Sequence, residues 1–139
     1  MTSTSACVFC EIVAGERRAY RVYEDDETIA FLDAAPAVPG HTLIVPKAHY
    51  ETLPEMDELL VGRLFQTVRT VAAAIDSVHD PDGLSVVQSN GAAAGQDVFH
   101  VHVHLVPRYE DDEVSLQWTP GELTEEANRE IAAALRDEL

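Results

Sequence analysis

Two different spacings of apolar residues divide the chain into helical and extended segments. The apolar positions that recur every three or four residues are Leu60, Leu64, Val68, Val71, Ile75 and Val78. This spacing predicts one long amphipathic helix, and Pro81 and Gly83 mark its end. Five segments have strand character instead: Tyr20–Tyr23, Thr28–Asp33, His41–Val45, Leu84–Gln88 and Phe99–Val106. Acidic, proline or glycine-containing turns separate most of them, which is typical of a sheet built from short strands.

Two shorter helices are predicted near the ends of the chain. Residues 7–14 read as a helix that Gly15 closes, and a last helix begins near Thr124 as its N-cap. The apolar stripe of that last helix is Ala127, Ile131, Leu135 and Leu139. We therefore predict an α+β fold with a five-stranded, mostly antiparallel sheet, in one domain over residues 1–139. Its core spans about residues 7–107, and residues 108–139 form a C-terminal extension.

The charge of the chain is strongly negative, with 9 Lys+Arg against 25 Asp+Glu and a formal net charge of −16. Such a surface repels phosphate backbones and anionic lipid, so we expect neither nucleic acid nor membrane as a partner. The excess of acid fits either adaptation to concentrated salt or an ordinary acidic cytosolic protein. No signal peptide or membrane span is evident, and two cysteines are too few for a disulfide framework, so we expect a cytoplasmic protein.

Three histidines alternate with apolar residues in the last predicted strand, at His100, His102 and His104. Side chains of a strand alternate between its faces, so the three imidazoles share one face, which we expect to be exposed. The intervening valines indicate that the other face packs against the core. A lone histidine needs no functional explanation, but three at a period of two indicate metal binding or phosphoryl and nucleotidyl chemistry.

The segment His100–Val106 resembles the His-φ-His-φ-His-φ-φ motif (φ, apolar) of the histidine triad (HIT) family of nucleotide hydrolases and transferases. The preceding Gly95–Phe99 is similar to that family's approach to the triad, and Phe31–Asp33 with Pro39–Lys47 resembles its second signature region. The resemblance runs from about Cys7 to Pro107. It implies the fold of that family and a homodimer.

The resemblance also implies how the reaction proceeds. The middle histidine, here His102, would attack the α-phosphorus of a nucleoside phosphate and form a nucleotidyl-histidine that water hydrolyses. His104 would contact the phosphate oxygens, His41 would complete the phosphate pocket, and His100 is the remaining member of the catalytic group. No cofactor is required for this chemistry.

Nucleotide-binding residues follow from the same resemblance. Asn90, Gly95 and Gln96 match a loop on the phosphate side, Asp33 matches the acid that binds the ribose hydroxyls, and Phe31 lies where the family lines its base pocket. From the pattern alone, a turn acid and a core aromatic are equally good interpretations of Asp33 and Phe31. Asp97 departs from the best-known branch, the phosphoramidase-type enzymes, which have a serine there. A carboxylate at this position would repel phosphate, carry a proton or point elsewhere.

Cys7 and Cys10 have a spacing common among metal ligands. The spacing also fits two small core residues without a metal, and less well a redox motif, whose βαβ context is missing. The resemblance implies a structural zinc site of Cys7, Cys10, His49 and His100. His79 is more simply a charge partner at the helix end or a solvated residue.

These observations predict a hydrolase that acts on the α-phosphate of nucleoside phosphoramidates or related adenylated molecules. A diadenosine polyphosphate hydrolase is the alternative within enzymes, because it differs only in the leaving group. A zinc-stabilised nucleotide-binding module without significant turnover is the alternative from another class, although such a module would not need His102.

Overall fold

A computed structural model describes residues 7–139 and contains a five-stranded antiparallel sheet. Its strands are β1 (Arg21–Glu24), β2 (Thr28–Leu32), β3 (Thr42–Pro46), β4 (Gly83–Gln88) and β5 (Val103–Arg108), in the spatial order β1-β2-β3-β5-β4. The helices are α1 (Val8–Val13), α2 (Glu58–His79) and α3 (Glu125–Glu138). The predicted α+β class with an antiparallel sheet is confirmed. No helix within residues 7–139 is long and apolar enough to cross a bilayer.

Helix α2 covers one face of the sheet. Asp57 caps it by accepting a hydrogen bond from the Leu60 amide, and its apolar stripe is buried from Leu60 to Ile75. The stripe packs on residues that point to the same side of the three central strands and of the segment just before β5: Ala30, Ile44, Val101, Val103 and Leu105. Val78, the last predicted member of the stripe, is exposed because it lies in the final turn of the helix.

Helix α1 covers part of the opposite face, and this corrects the expectation that the three histidines lie on an exposed face. Phe9 and Ile12 of α1 are buried in a second cluster with Ile29, Phe31, Leu43 and Val45 of the sheet. His100 is completely buried and His102 is 5% exposed, whereas His104 is only partly covered. A six-residue helix needs apolar surroundings to be stable, and it finds them over the histidine face.

Strand β5 begins at Val103 rather than at the predicted Phe99. The Val101 amide donates to the Tyr50 carbonyl at 2.7 Å, so the chain before Val103 pairs with the loop that follows β3 and not with β4. Side chains nevertheless keep the alternation of a strand through this segment. At its other end, β5 passes through Pro107, where only β4 is its partner and the missing amide donor is tolerated.

Helix α3 begins after Thr124, as predicted, and the Thr124 hydroxyl accepts from the Ala127 amide. None of its residues is buried, and its apolar stripe includes Leu135 at 60% exposure. An extended stretch of residues 113–124 without helix or strand separates α3 from β5. The C-terminal extension therefore contributes nothing to the core of its own chain.

Two glycine substitutions should change stability in opposite directions. Gly40 has φ +94, and a Cβ there would lie 2.7 Å from the His79 ring, so Gly40→Ala is expected to cost on the order of 2–4 kcal/mol. Gly62 lies inside α2 with nothing within 4 Å of an added Cβ, so Gly62→Ala should gain about 0.5–1 kcal/mol. Urea unfolding of both variants checks this pair. Equal effects, or a stable Gly40→Ala protein, would contradict the packing described for His79.

Molar salt should raise the melting temperature. The net charge of −16 reflects 25 acids against 9 bases; most of the acids are exposed, and their mutual repulsion is screened within about 3 Å at 1 M ionic strength. Calorimetry in dilute buffer and in about 2 M sodium chloride measures the shift, which we expect to be several degrees. A protein equally stable in both would remove the interpretation of the acidic surface as a saline adaptation.

Candidate active site

A cleft of about 540 Å³ lies beside α1 and the ends of β2 and β5. Its wall is mostly apolar and includes Val8, Phe9, Ile12, Phe31, Leu43 and Val98. Polar groups enter it from Asp33, Asp97, His102 and His104, and Arg17 and Arg18 also line it. An apolar cleft with a few convergent polar groups is the usual form of a small-molecule site.

The ring of His102 is fixed in one tautomer by the backbone. Its Nδ1 lies 2.8 Å from the carbonyl oxygen of His100, and a carbonyl can only accept, so Nδ1 carries the proton. In the neutral imidazole the other nitrogen, Nε2, then has a free electron pair. His102 lines the cleft, and that nitrogen is the one suited to nucleophilic attack.

Phe9 holds the His102 ring from the α1 side. The centroids of the two rings are 5.0 Å apart at an interplanar angle of 74°, an edge-to-face contact. Phe9 also contacts the Phe31 ring at 5.6 Å. The sequence analysis missed this residue because an apolar position between two cysteines reads equally well as ordinary core.

His41 and His104 form a hydrogen-bonded pair with a definite direction. The Ala37 amide donates to His41 Nδ1 at 3.0 Å, so a neutral His41 carries its proton on Nε2. That nitrogen lies 2.9 Å from His104 Nδ1 and donates to it, which leaves the His104 proton on Nε2. His104 thus has an N–H donor beyond its bond to His41, while His41 itself does not line the cleft and supports His104.

Burial keeps this pair neutral at physiological pH. Desolvation lowers the pKa of His41, and the nearby Asp33 carboxylate only partly opposes that effect. Burial also lowers the pKa of His104, and the charges of His102 and His41 add to the shift. The two rings therefore act as hydrogen-bonding groups rather than as fixed positive charges.

Asp33 is anchored at the end of β2 by its own turn. Its Oδ1 accepts from the Ala35 amide at 2.8 Å, and its Oδ2 lies 3.4 Å from His41 Nε2. Asp33, His41 and His104 bring three potential ligand atoms together. A metal there would need the electron pair of His41 Nε2, but the Ala37 amide keeps the proton on that nitrogen. The arrangement therefore fits the neutral, hydrogen-bonded pair of His41 and His104 better than it fits a metal site.

The loop before β5 is held by side-chain amides. Gln96 is 4% exposed; its Oε1 accepts from the Gly91 amide at 2.7 Å and its Nε2 donates to the Glu51 carbonyl at 2.6 Å. Asn90 Oδ1 accepts from the Leu53 amide at 2.7 Å. Neither amide lines the cleft, so both residues shape the loop, and Gly95 with φ +95 allows its turn.

Asp97 follows this loop and approaches the His102 ring. Its Oδ1 lies 3.6 Å from His102 Nε2, and its side chain is 80% exposed. The predicted residues Asp33, Phe31, Asp97, His102 and His104 therefore all line one cleft, whereas His41, Asn90 and Gln96 support it from outside. His100 faces a different cluster.

Cys7, Cys10, His49 and His100 come together behind the cleft, with their four ligand atoms within 4.8 Å of one another. His100 Nδ1 lies 3.4 Å from Cys7 Sγ, 3.6 Å from Cys10 Sγ and 3.2 Å from His49 Nδ1. Tetrahedral zinc with bonds of about 2.3 Å to sulfur and 2.0–2.1 Å to nitrogen places such atoms about 3.3–3.6 Å apart. The donor set and its spacing fit zinc.

The protonation of these groups also suits a metal. His100 Nε2 donates to the Pro46 carbonyl at 2.8 Å, so Nδ1 has the free electron pair that faces the cysteines. Burial lowers the pKa of His100 to about 4, which keeps the ring neutral. Burial raises the pKa of Cys10 to about 12, and a hydrogen bond with Cys7 adds to the shift. A dication supplies the charge that would make these thiols ionise.

An antiparallel α+β domain whose alternating histidines lead into a central strand, with an oriented imidazole in an apolar cleft, is the architecture of the HIT class of nucleotide-binding proteins and hydrolases. The chain is a member of the HIT family: the model of the HIT domain matches residues 14–111.

Individual relatives agree with this assignment. The crystal structure of a HIT family member from Bacillus subtilis superposes with a TM-score of 0.92 at 37% identity and covers 96% of each chain. Adenylylsulfatase HINT3 of Arabidopsis thaliana is 41% identical over 80% of this chain and 56% of its own. A zinc-bound histidine triad protein from Mycobacterium smegmatis has a TM-score of 0.76 at 36% identity, with 97% of this chain and 96% of the other covered.

Proposed function

We propose that the protein hydrolyses nucleotides at the α-phosphorus, with nucleoside phosphoramidates or related adenylated molecules as substrates. The observation that carries this proposal is the orientation of His102. Its Nδ1 donates to the His100 carbonyl, and its free Nε2 belongs to a ring that lines the cleft. Attack forms a bond between Nε2 and phosphorus and expels the leaving group. Water then cleaves that bond and releases the nucleoside monophosphate.

The remaining cleft residues suit the parts of a nucleotide. Phe31 and the other apolar wall residues would pack against the base, and the Asp33 carboxylate would accept hydrogen bonds from the ribose hydroxyls. His104 would donate from Nε2 to a phosphate oxygen, with its ring oriented by His41. The amides of Gly95 and Gln96 donate to the Ala92 and Gly91 carbonyls, so these two residues would shape the loop beside the phosphate rather than bind the phosphate themselves.

The test is a comparison of two substrates. The protein is incubated with an adenosine 5′-phosphoramidate and with a diadenosine polyphosphate, and release of nucleoside monophosphate is followed for each. We expect faster release from the phosphoramidate. Preference for the dinucleotide would favour the alternative hydrolase, and tight binding of AMP without turnover of either substrate would favour a binding module.

We further propose that Cys7, Cys10, His49 and His100 hold a structural zinc ion. The support is their tetrahedral spacing, the Nδ1 electron pair of His100 and the zinc-bound relative. Such an ion would tie α1 to the loop after β3 and to the segment that precedes β5. It would therefore stabilise the region that supports the carbonyl partner of His102, without taking part in the reaction.

A homodimer is the third proposal. Strand β4 is an edge of the sheet, and α3 exposes an apolar stripe that its own chain does not cover. Sedimentation equilibrium of wild type, Leu135→Glu and Ala133→Glu tests it, since both variants add one charge but only the first alters the stripe. We expect Leu135→Glu to weaken the dimer at least about tenfold. A monomeric wild type at moderate concentration would contradict the proposal.

A further inference from the structure

An acidic side chain lies close to the proposed nucleophile. Asp97 Oδ1 is 3.6 Å from His102 Nε2. In the neutral tautomer that the His100 carbonyl favours, which is the form able to attack phosphorus, Nε2 carries an electron pair and the carboxylate is not its hydrogen-bond partner. The carboxylate therefore places a charged group beside the attacking form of His102 without binding it.

The backbone next to Asp97 is held firmly. The neighbouring Gln96 is buried, and its amide bonds to Gly91, Glu51 and Val98. The carboxylate itself is exposed to the cleft and to solvent, with 80% of the side chain accessible. Asp97 is thus an exposed carboxylate on a firmly held backbone, at the mouth of a site whose proposed substrate is an anion.

Distance limits place the reacting phosphorus within range of this charge. A phosphorus poised for attack lies about 3–3.5 Å from the nucleophilic nitrogen. It then lies at most about 7 Å from Asp97 Oδ1, since that oxygen is 3.6 Å from the same nitrogen. Screening at physiological ionic strength extends over about 8 Å, so the phosphorus lies inside this range and the leaving atom bonded to it lies near its edge.

The cations that line the cleft do not outweigh its acids. The lining charges are Arg17 and Arg18 against Asp33 and Asp97, and Arg17 already pairs with Glu11 at 3.0 Å. His104, the ring adjacent to His102, is kept neutral because burial lowers its pKa. A leaving group that brings further negative charge therefore meets repulsion, and one that becomes cationic meets attraction.

We propose that Asp97 selects the leaving group by charge, favouring amines and disfavouring sulfate and phosphate; this inference rests on the proposed function. In the favoured reaction His102 Nε2 forms a bond to phosphorus, and the electron pair of the P–N bond goes to the leaving nitrogen. That nitrogen takes up protons from solvent and departs as an ammonium ion. The Asp97 carboxylate stabilises the positive charge that develops.

Three adenylates that differ only in the leaving group test this selection: a phosphoramidate of a simple alkylamine, a phosphoramidate of a diamine with a free ammonium group, and adenylyl sulfate. The kcat/KM of each is measured for wild type, Asp97→Asn and Asp97→Ser. Asp26→Asn removes the same charge from an exposed turn and serves as the matched control. We expect both Asp97 variants to lower the preference for the diamine compound over adenylyl sulfate about tenfold, and Asp26→Asn to leave it unchanged.

Salt provides a second readout that a purely structural role would not move. In about 1 M salt, the preference of the wild type for the diamine compound over adenylyl sulfate should fall towards the value for Asp97→Asn. The preference of that variant should hardly change. An unchanged preference in both Asp97 variants, with all three substrates turned over, would overturn this inference alone. If the wild type releases AMP from none of the three substrates, the proposed function is overturned and the inference with it.

Discussion

Replacement of His102 by asparagine should lower nucleotide release by about 10³-fold or more, because the variant keeps a donor for the His100 carbonyl but lacks the nucleophilic nitrogen. Asparagine is preferred to alanine here, since His102 is only 5% exposed and its removal would leave a cavity beneath Phe9. The measurement is the single-turnover release of AMP from an adenosine phosphoramidate, with thermal melting as a check that the fold is retained.

A variant of His104, the ring that is hydrogen-bonded to His41, provides the comparison for this loss of activity. His104→Gln retains a hydrogen-bonding side chain next to the cleft and leaves Nε2 of His102 in place. We expect it to reduce the rate less than His102→Asn and still to form the covalent intermediate. Equal rates for wild type and His102→Asn would contradict the assignment of the nucleophile.

Removal of the proposed zinc ion should have the largest effect on stability. An ion whose free concentration is a thousandfold above its Kd stabilises the folded state by about 4 kcal/mol. For a domain of this size, that gain corresponds to a rise of roughly 10 °C in the melting temperature. Elemental analysis after dialysis should find about one zinc per chain, and Cys7→Ser should lower that value. Calorimetry before and after chelation measures the stability change.

Two half-buried histidines make a matched control for the zinc site. His49 belongs to the cluster, whereas His79 packs against Gly40 at the end of α2. His49→Ala should lose zinc, and His79→Ala should retain it even if its melting temperature falls. Metal-free protein with an unchanged melting temperature would contradict the zinc proposal.

The period of the histidines was sufficient to predict the shared face of the three imidazoles, although β5 begins only at Val103 and contains just His104 of the three. The same pattern could not show what covers that face. The histidine face was expected to be exposed because the intervening valines account only for the opposite face, which packs against the core. Burial of Phe9 and Ile12 against the sheet places α1 there, and this contact depends on tertiary packing rather than on local spacing.

The backbone groups that hydrogen-bond to the histidine rings could not be predicted from the sequence either. The carbonyls of His100 and Pro46 and the amide of Ala37 set which nitrogen of each ring carries the proton. Carbonyl and amide groups are present at every position, so no residue type signals them. For the same reason Asn90 and Gln96, expected at the nucleotide, are instead engaged with the backbone of the loop that they shape.

The role of Asp97 becomes narrower when the sequence and the structure are combined. The sequence marked it as a departure from the phosphoramidase-type branch and left three roles open. Its 3.6 Å approach to His102 Nε2 places its charge beside the reacting atoms, which makes the choice of leaving group its most direct consequence.

The central claim is that His102 becomes covalently nucleotidylated. Wild type and His102→Asn are mixed with an adenosine phosphoramidate, quenched within milliseconds to seconds in alkali, where the P–N bond survives, and analysed by intact and peptide mass spectrometry. The account predicts an added adenylyl group on the peptide containing His102 in wild type, and none in the variant. Release of AMP by the wild type with no adduct at His102 at any time, or with the adduct on another residue, would contradict it.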